Sequence, residues 1–91
     1  MKISYDSQKR TQTLDERGLD FDDAVQVFAG QTADVLDDRK DYGEPRYQSF
    51  GMLGGRLVTL VWTPRGDTRH VISMRKANER EQKKFGRQLG F

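Results

Sequence analysis

The stretch RYQSFGMLGGRLVTLVWTPRGDTRHVISMR, residues 46–75, decides the fold. It holds three β-rich blocks, RYQSFGML, RLVTLVWT and TRHVISMR, separated only by Gly54-Gly55 and by the turn residues Pro64-Arg65-Gly66-Asp67. Valine, threonine and aromatic residues dominate the blocks, as strands require, and the Gly-Gly pair is a tight hairpin signal. Connections this short join antiparallel neighbours, so the run predicts an antiparallel meander with residues 56–63 as its strongest strand.

The flanks extend that core. KISYD at 2–6 alternates and predicts a first strand. SQKRTQTLDER, residues 7–17, predicts a helix capped by Asp6 or Ser7, stopped by Gly18, with Leu14 as its main core residue. LDFDDAVQVFAG predicts a second helix: Asp20 is the N-cap, and Phe21, Ala24, Val25 and Phe28 fall at i, i+3, i+4 and i+7. ADVLDD is a short strand candidate, and DRKDYGEPRY a polar turn. KANEREQKKFGRQL, residues 76–89, predicts a terminal helix following the last strand without a glycine or proline break. The result is a single domain over residues 1–91: an α+β fold in which N-terminal helices pack on an antiparallel β-sheet and a C-terminal helix closes the chain.

Composition narrows the function classes. The chain lacks cysteine, which removes disulfides, thiol catalysis and Cys-based zinc sites, and one histidine cannot build a His-rich metal centre. The expectation is no cofactor and no resident metal; a magnesium site at Asp37, Asp38 and Asp41 is the single, weaker exception. No apolar run approaches membrane-spanning length and the N-terminus has no apolar signal core, so the expected compartment is the cytoplasm, with no membrane partner. Net charge is +2, but it is split. Residues 1–45 carry 11 acidic and 6 basic side chains, net −5; residues 46–91 carry 10 basic and 3 acidic, net +7. The second half has the footprint of a polyanion binder, set against the plainer reading of a solvated basic surface.

Alternation on the last strand puts Arg69, Val71, Ser73 and Arg75 on one face and His70, Ile72 and Met74 on the other. On a wet face, the polar positions of this strand, Arg69, Ser73 and Arg75, fall on a repeat of about 7 Å that approximates the spacing of phosphates in RNA, and the guanidinium fork grips phosphate with two bonds. Arg46 begins a neighbouring strand and Arg65 sits in the turn before the last one, so both can converge on the same rim. RNA cleavage without a metal needs a base for the 2′-OH, a cation for the phosphorane and an acid for the leaving 5′-oxygen. His70, ordinarily titrating near about 6.5, is the one side chain poised for that proton work. The competing reading of His70 is a half-buried packing histidine beside Ile72 and Met74. Trp62 has a similar pair of readings, a base-stacking platform or a core residue. The RGD at 65–67 is ordinary turn chemistry.

Three blocks, RGLDFDDAVQVFAG, DDRKDYGEPRYQSFGMLGGRLVTLVWTPRGD and HVISMRKANEREQ, resemble the BrnT family of bacterial toxins in fixed order over nearly the whole chain. The resemblance implies a RelE-like ribonuclease fold and an endoribonuclease toxin of a type II toxin–antitoxin pair, cutting RNA without metal and so inhibiting translation. It implies a BrnA-type antitoxin partner of the ribbon-helix-helix kind, a hetero-oligomer with it, and contact with operator DNA only through the antitoxin. Motif by motif, Arg46 matches the arginine opening the "ER…G" strand, with Pro45 here standing after Glu44. Arg65 matches the T-x-RGD turn, Ser73 and Arg75 the IS-x-R block, and Lys76 the base after it. His70 stands where the family often has an arginine, and Arg17 precedes Gly18 where the first helix often ends in KHG. The candidate catalytic residues are therefore Arg46, Arg65, Ser73, Arg75 and His70, with Arg69, Lys76 and Arg80 as RNA-binding cations. The alternative function is a non-catalytic RNA- or partner-binding module acting as a co-repressor subunit.

Overall fold

The computed structural model of the chain describes residues 1–89. In order, the elements are β1 (Lys2–Tyr5), α1 (Ser7–Arg17), a 3-10 turn (Phe21–Asp23) running into α2 (Ala24–Ala29), β2 (Thr32–Leu36), β3 (Tyr47–Leu53), β4 (Arg56–Arg65), β5 (Thr68–Lys76) and α3 (Glu79–Phe85). The five strands form one sheet in the order β1-β5-β4-β3-β2. The α+β class and the meander of β2 to β5 are as the sequence predicts; the sheet as a whole is mixed, because β1 lies parallel to β5.

Local chemistry explains the element ends. The Asp6 side chain accepts from the backbone N–H groups of Gln8 and Lys9 at the start of α1, and Gly18 takes the left-handed conformation that closes it. Gly54 and Gly55 both have positive φ, 58° and 77°, which is what a two-residue hairpin needs to match the strand twist between Leu53 and Arg56. The second turn is tighter than the sequence indicates: Pro64 and Arg65 remain in β4, leaving only Gly66 and Asp67 between the strands. Asn78 and Glu81 form a reciprocal capping box that starts α3 directly after β5.

One face of the sheet, the inner face, carries the main core. Phe21, Ala24, Val27 and Phe28 pack there against Val58, Leu60, Trp62, Val71 and Met74. Val25, expected inside, is 42% exposed, and Val27 is buried instead, because the 3-10 turn shifts the phase of the short helix. Leu14 is likewise 43% exposed and α1 buries no side chain completely. This helix docks through polar ties. Arg10 donates to Asp20 at 2.8 and 3.0 Å, and Arg17 Nη1 donates to the Met74 carbonyl at 2.9 Å. The second tie covers β5 beyond Val71, where β1 has ended. The outer face carries a smaller cluster of Phe50, Leu57, Ala77 and Leu89, with Phe85 of α3 stacked on Phe50 at 4.2 Å between ring centroids.

Gly51 is where β3 and α2 approach most closely. A Cβ there would lie 2.7 Å from Val27 Cγ1 and 3.1 Å from Thr32 Cγ2. Gly51→Ala is expected to lower stability by about 1–3 kcal/mol through overpacking. Urea unfolding measures the loss, and adding Val27→Ala to that variant should recover part of it.

Candidate nucleic-acid interface

The register of β5 decides what the outer face presents. Val61 pairs with Ser73 and Trp62 with Val71, leaving Ile72 as the extra residue of a β-bulge. A bulge reverses the alternation beyond it. Val71 and Met74 are therefore both buried in the inner core, while His70, Ser73 and Arg75 share the outer face with their opposite residues Thr63, Val61 and Thr59. This corrects the simple alternation in two ways. His70 joins Ser73 and Arg75, and Arg69 leaves them. The Arg69 guanidinium lies on the inner face, 4.6 Å from the Phe28 ring centre and 4.5 Å from that of Trp62, held by cation–π attraction. Trp62 is core: its indole N–H donates to Ser49 Oγ at 2.7 Å, and Ser49 donates to Asp34 at 2.6 Å.

His70 is half-buried, with Nδ1 2.8 Å from Ser4 Oγ on the parallel strand β1. Burial, and then the nearby charge of Arg65, push its pKa below the usual histidine value, with Glu44 opposing. It is therefore largely neutral at neutral pH, the form a general base requires. Arg65 ends β4 on the same face, 3.7 Å from Glu44. Thr63 beneath it donates to the Pro45 carbonyl at 2.7 Å, which draws the 37–46 connection across this end of the sheet. That connection delivers Arg46, whose guanidinium stacks on Tyr42 at 3.9 Å and whose Nε is buried with no protein partner.

Arg75 stands further along β5. Its Nη1 and Nη2 donate to the two Glu81 carboxylate oxygens, each at 2.7 Å, and Glu81 also accepts from the Asn78 N–H at 3.0 Å. The paired guanidinium holds the Glu81 carboxyl below its usual range, and Glu81 in turn raises Arg75. Across the sheet, Asp37 is turned inward with its side chain 1% exposed, and Arg39 clamps it through Nε at 2.7 Å and Nη2 at 2.8 Å. That inward turn, together with the Asp41 carboxylate accepting from the Gly43 N–H, keeps the Asp37–Asp41 acids from converging. Among the described residues no group of three His, Asp or Glu side chains is arranged to hold a metal ion.

The structure thus brings five sequence-derived candidates, Arg46, Arg65, His70, Ser73 and Arg75, to one face. It does not bring the other three. Arg69 is on the inner face; exposed Lys76 opposes Val58 beyond Arg75; Arg80 is exposed on α3 beside Glu79 and Lys83. It adds Arg39, Asp37, Glu81 and Ser4. Asn78-x-x-Glu81 is visible in sequence as a capping box, but the link from Glu81 to Arg75 is not, because it crosses a strand–helix junction.

The outer face is therefore a half-open sheet surface rimmed by arginines, with one neutral imidazole among them and α3 covering the other half. Donors of this kind fit a polyanion such as a phosphodiester strand, and the class they define is an α+β domain with a cationic sheet face. Residues 5–81 match the family model described as ribonuclease toxin, BrnT, of type II toxin–antitoxin system, and the chain belongs to that family. No curated protein matches the sequence. Membership implies an antitoxin partner. No helix among the described residues is long and apolar enough to cross a membrane.

Proposed function

We propose that the chain is a metal-independent endoribonuclease whose centre is the outer-face group of His70, Ser73, Arg75, Arg65 and Arg46. One observation carries this reading: His70, whose pKa is lowered by burial and by Arg65, shares the outer sheet face with Ser73, Arg75 and Arg65. With Nδ1–H donated to Ser4, His70 Nε2 keeps its lone pair and takes the proton from the 2′-OH. The freed 2′-oxygen attacks the adjacent phosphorus. Arg75, Arg65 and Arg46 offset the charge that builds on the phosphorane, and the Ser73 hydroxyl orients a non-bridging oxygen. The 5′-oxygen leaves with a proton from the imidazolium so formed or from solvent. Charge is supplied by guanidinium groups, so the step needs no metal ion.

The same reading carries a RelE-like architecture and a single toxin domain over residues 1–91. It also carries cytoplasmic action against translation, and neutralisation by a BrnA-type ribbon-helix-helix antitoxin that alone contacts operator DNA. The non-catalytic co-repressor reading shares the phosphate-gripping residues but gives His70 no task.

Expression of the chain without its antitoxin should arrest bacterial growth and degrade RNA. Arg75→Ala should lower the cleavage rate of purified protein by about 10²–10³-fold, the usual loss for a transition-state donor. A folded Arg75→Ala protein with full toxicity would remove Arg75 from the site. Intact RNA after incubation with wild type, alongside salt-sensitive binding, would favour the binding module.

A further inference from the structure

We propose that α1 and the bulged edge of β5 form a base-recognition subsite beside the catalytic group, in which Gln12 and Glu16 select guanine in a nucleotide next to the scissile phosphate. The proposal rests on the RNA-cleaving reading and assigns residues that the reading leaves without a role.

The subsite is a cleft of about 150 Å³ between helix and strand. From α1 it takes Lys9, Gln12, Thr13, Glu16 and Arg17, positions i, i+3, i+4, i+7 and i+8, which make one stripe of a helix. From β5 it takes Ile72 and Ser73. Where a helix lies along a sheet, the stripe at the contact is ordinarily the apolar one. Here all five of its residues are polar or charged, and α1 buries no side chain completely. Such a stripe suits a wet cleft and not a core.

β1 sets the cleft against the centre. Ser4 pairs with His70 and Tyr5 with Val71, and the chain then leaves the sheet at Asp6, which caps α1. The helix runs on past the end of β1 along the β5 edge, and Arg17 fixes its far end to the Met74 carbonyl at 2.9 Å. Lys9 therefore stands at the end nearest His70, and Glu16 seven residues on, about 10 Å along the axis. Ser73 borders both the cleft and the outer face, so a phosphate held at His70 and Ser73 has the cleft beside it for a base. The volume falls below the roughly 300–1,000 Å³ of pockets for larger ligands, on the scale of a single base.

The polar groups match one base. Gln12 Nε2 donates to Glu16 Oε1 at 3.3 Å, which sets the two side chains together. An ionised carboxylate has about four lone-pair sites on its two oxygens, so both Glu16 oxygens still accept. Guanine alone among the four bases presents two adjacent donors on its pairing edge, N1–H and the N2 amino group, and a carboxylate takes both through parallel bonds. The second Gln12 amide hydrogen is the donor its O6 requires. Ile72, the unpaired residue of the bulge, supplies apolar contact for the ring. Repulsion from Glu16 keeps the phosphates at the Lys9 end.

The test uses the whole chain and 2′-O-methylated RNA hexanucleotides that retain one 2′-OH, so that each is cut at one bond. The base on each side of that bond is varied in turn. In one of the two series, wild type should cut the guanine substrate about 10–100-fold faster than the other three, the discrimination of one good bidentate base contact. Inosine, which lacks only the N2 amino group, should be cut about tenfold more slowly than guanine, the loss of one hydrogen bond to a charged group. Glu16→Gln should erase both preferences. Asp15→Asn, which removes an exposed neighbouring charge outside the stripe, should keep them. Thermal unfolding shows that each variant is folded. Wild type indifferent to the base, or preferring a base other than guanine, overturns the subsite, as does a folded Glu16→Gln protein with the wild-type preference. Wild type that cuts no substrate overturns the nuclease reading instead. The affinities of fully methylated guanine and inosine hexanucleotides for wild type and Glu16→Gln then decide the subsite.

Discussion

His70→Ala is expected to reduce RNA cleavage by about 10²–10⁴-fold, the range for removing a positioned general base, while leaving the fold intact. The imidazole lies half-buried at the edge of the open face, and its one polar contact is with Ser4, so truncation leaves no buried charge unpaired. The pH dependence makes the expectation specific. Burial and Arg65 depress the histidine pKa. The wild-type rate should therefore rise with pH along a limb whose midpoint lies below about 6.5 and be level at neutrality. In His70→Ala that limb should vanish. Stability should follow the same sign: the unfolded chain takes up a proton on His70 before the folded one does. Stability is then complete above about 6.5 and declines as pH falls from there toward the folded-state pKa. Single-turnover cleavage across a pH series checks the first, and urea unfolding at matched pH the second. Full activity in a folded His70→Ala protein would leave His70 as a packing residue and return all catalysis to the arginines.

What was legible in the sequence follows from the range of the interactions involved. The meander is encoded locally: Gly54-Gly55 sets the hairpin, and the alternating apolar residues of 56–63 set the buried strand. The parallel pairing of β1 with β5 is not, because KISY at the N-terminus has no local sign of a partner more than 60 residues away. The bulge at Ile72 is the most consequential omission. HVISMR alternates as smoothly as any regular strand, yet one unpaired residue exchanges the faces of everything before it. Sequence alternation thus groups Arg69 with Arg75 and removes His70, the reverse of the observed arrangement. Arg39 was hidden differently. Mixed charges in DDRKDYGE read as a solvated turn, and only the burial of Asp37 against the sheet distinguishes its arginine from a surface one. The exposed helix α1 shows a third limit. Its poor apolar pattern is real, and it docks through Arg10 and Arg17, for which periodicity has no signal.

Trp62→Ala is expected to be the most destabilising single truncation, at about 3–5 kcal/mol, against a total of roughly 5–15 kcal/mol for a domain of ordinary stability. The indole fills the centre of the inner face. Tyr47 stacks on it at 5.1 Å and Phe28 meets its edge at 5.6 Å, with Arg69 over the ring. Its N–H also heads a chain of hydrogen bonds through Ser49 to Asp34, which Thr32 joins at 3.0 Å, and that chain ties the edge strand β2 into the sheet. Truncation opens a cavity, leaves Arg69 without one of its two ring partners, and strips Ser49 of its donor. Trp62→Phe separates these contributions. It retains most of the packing and loses only the N–H bond, so it should cost about 1–3 kcal/mol, the penalty for one unsatisfied buried group. Chemical denaturation midpoints of the two variants measure the difference.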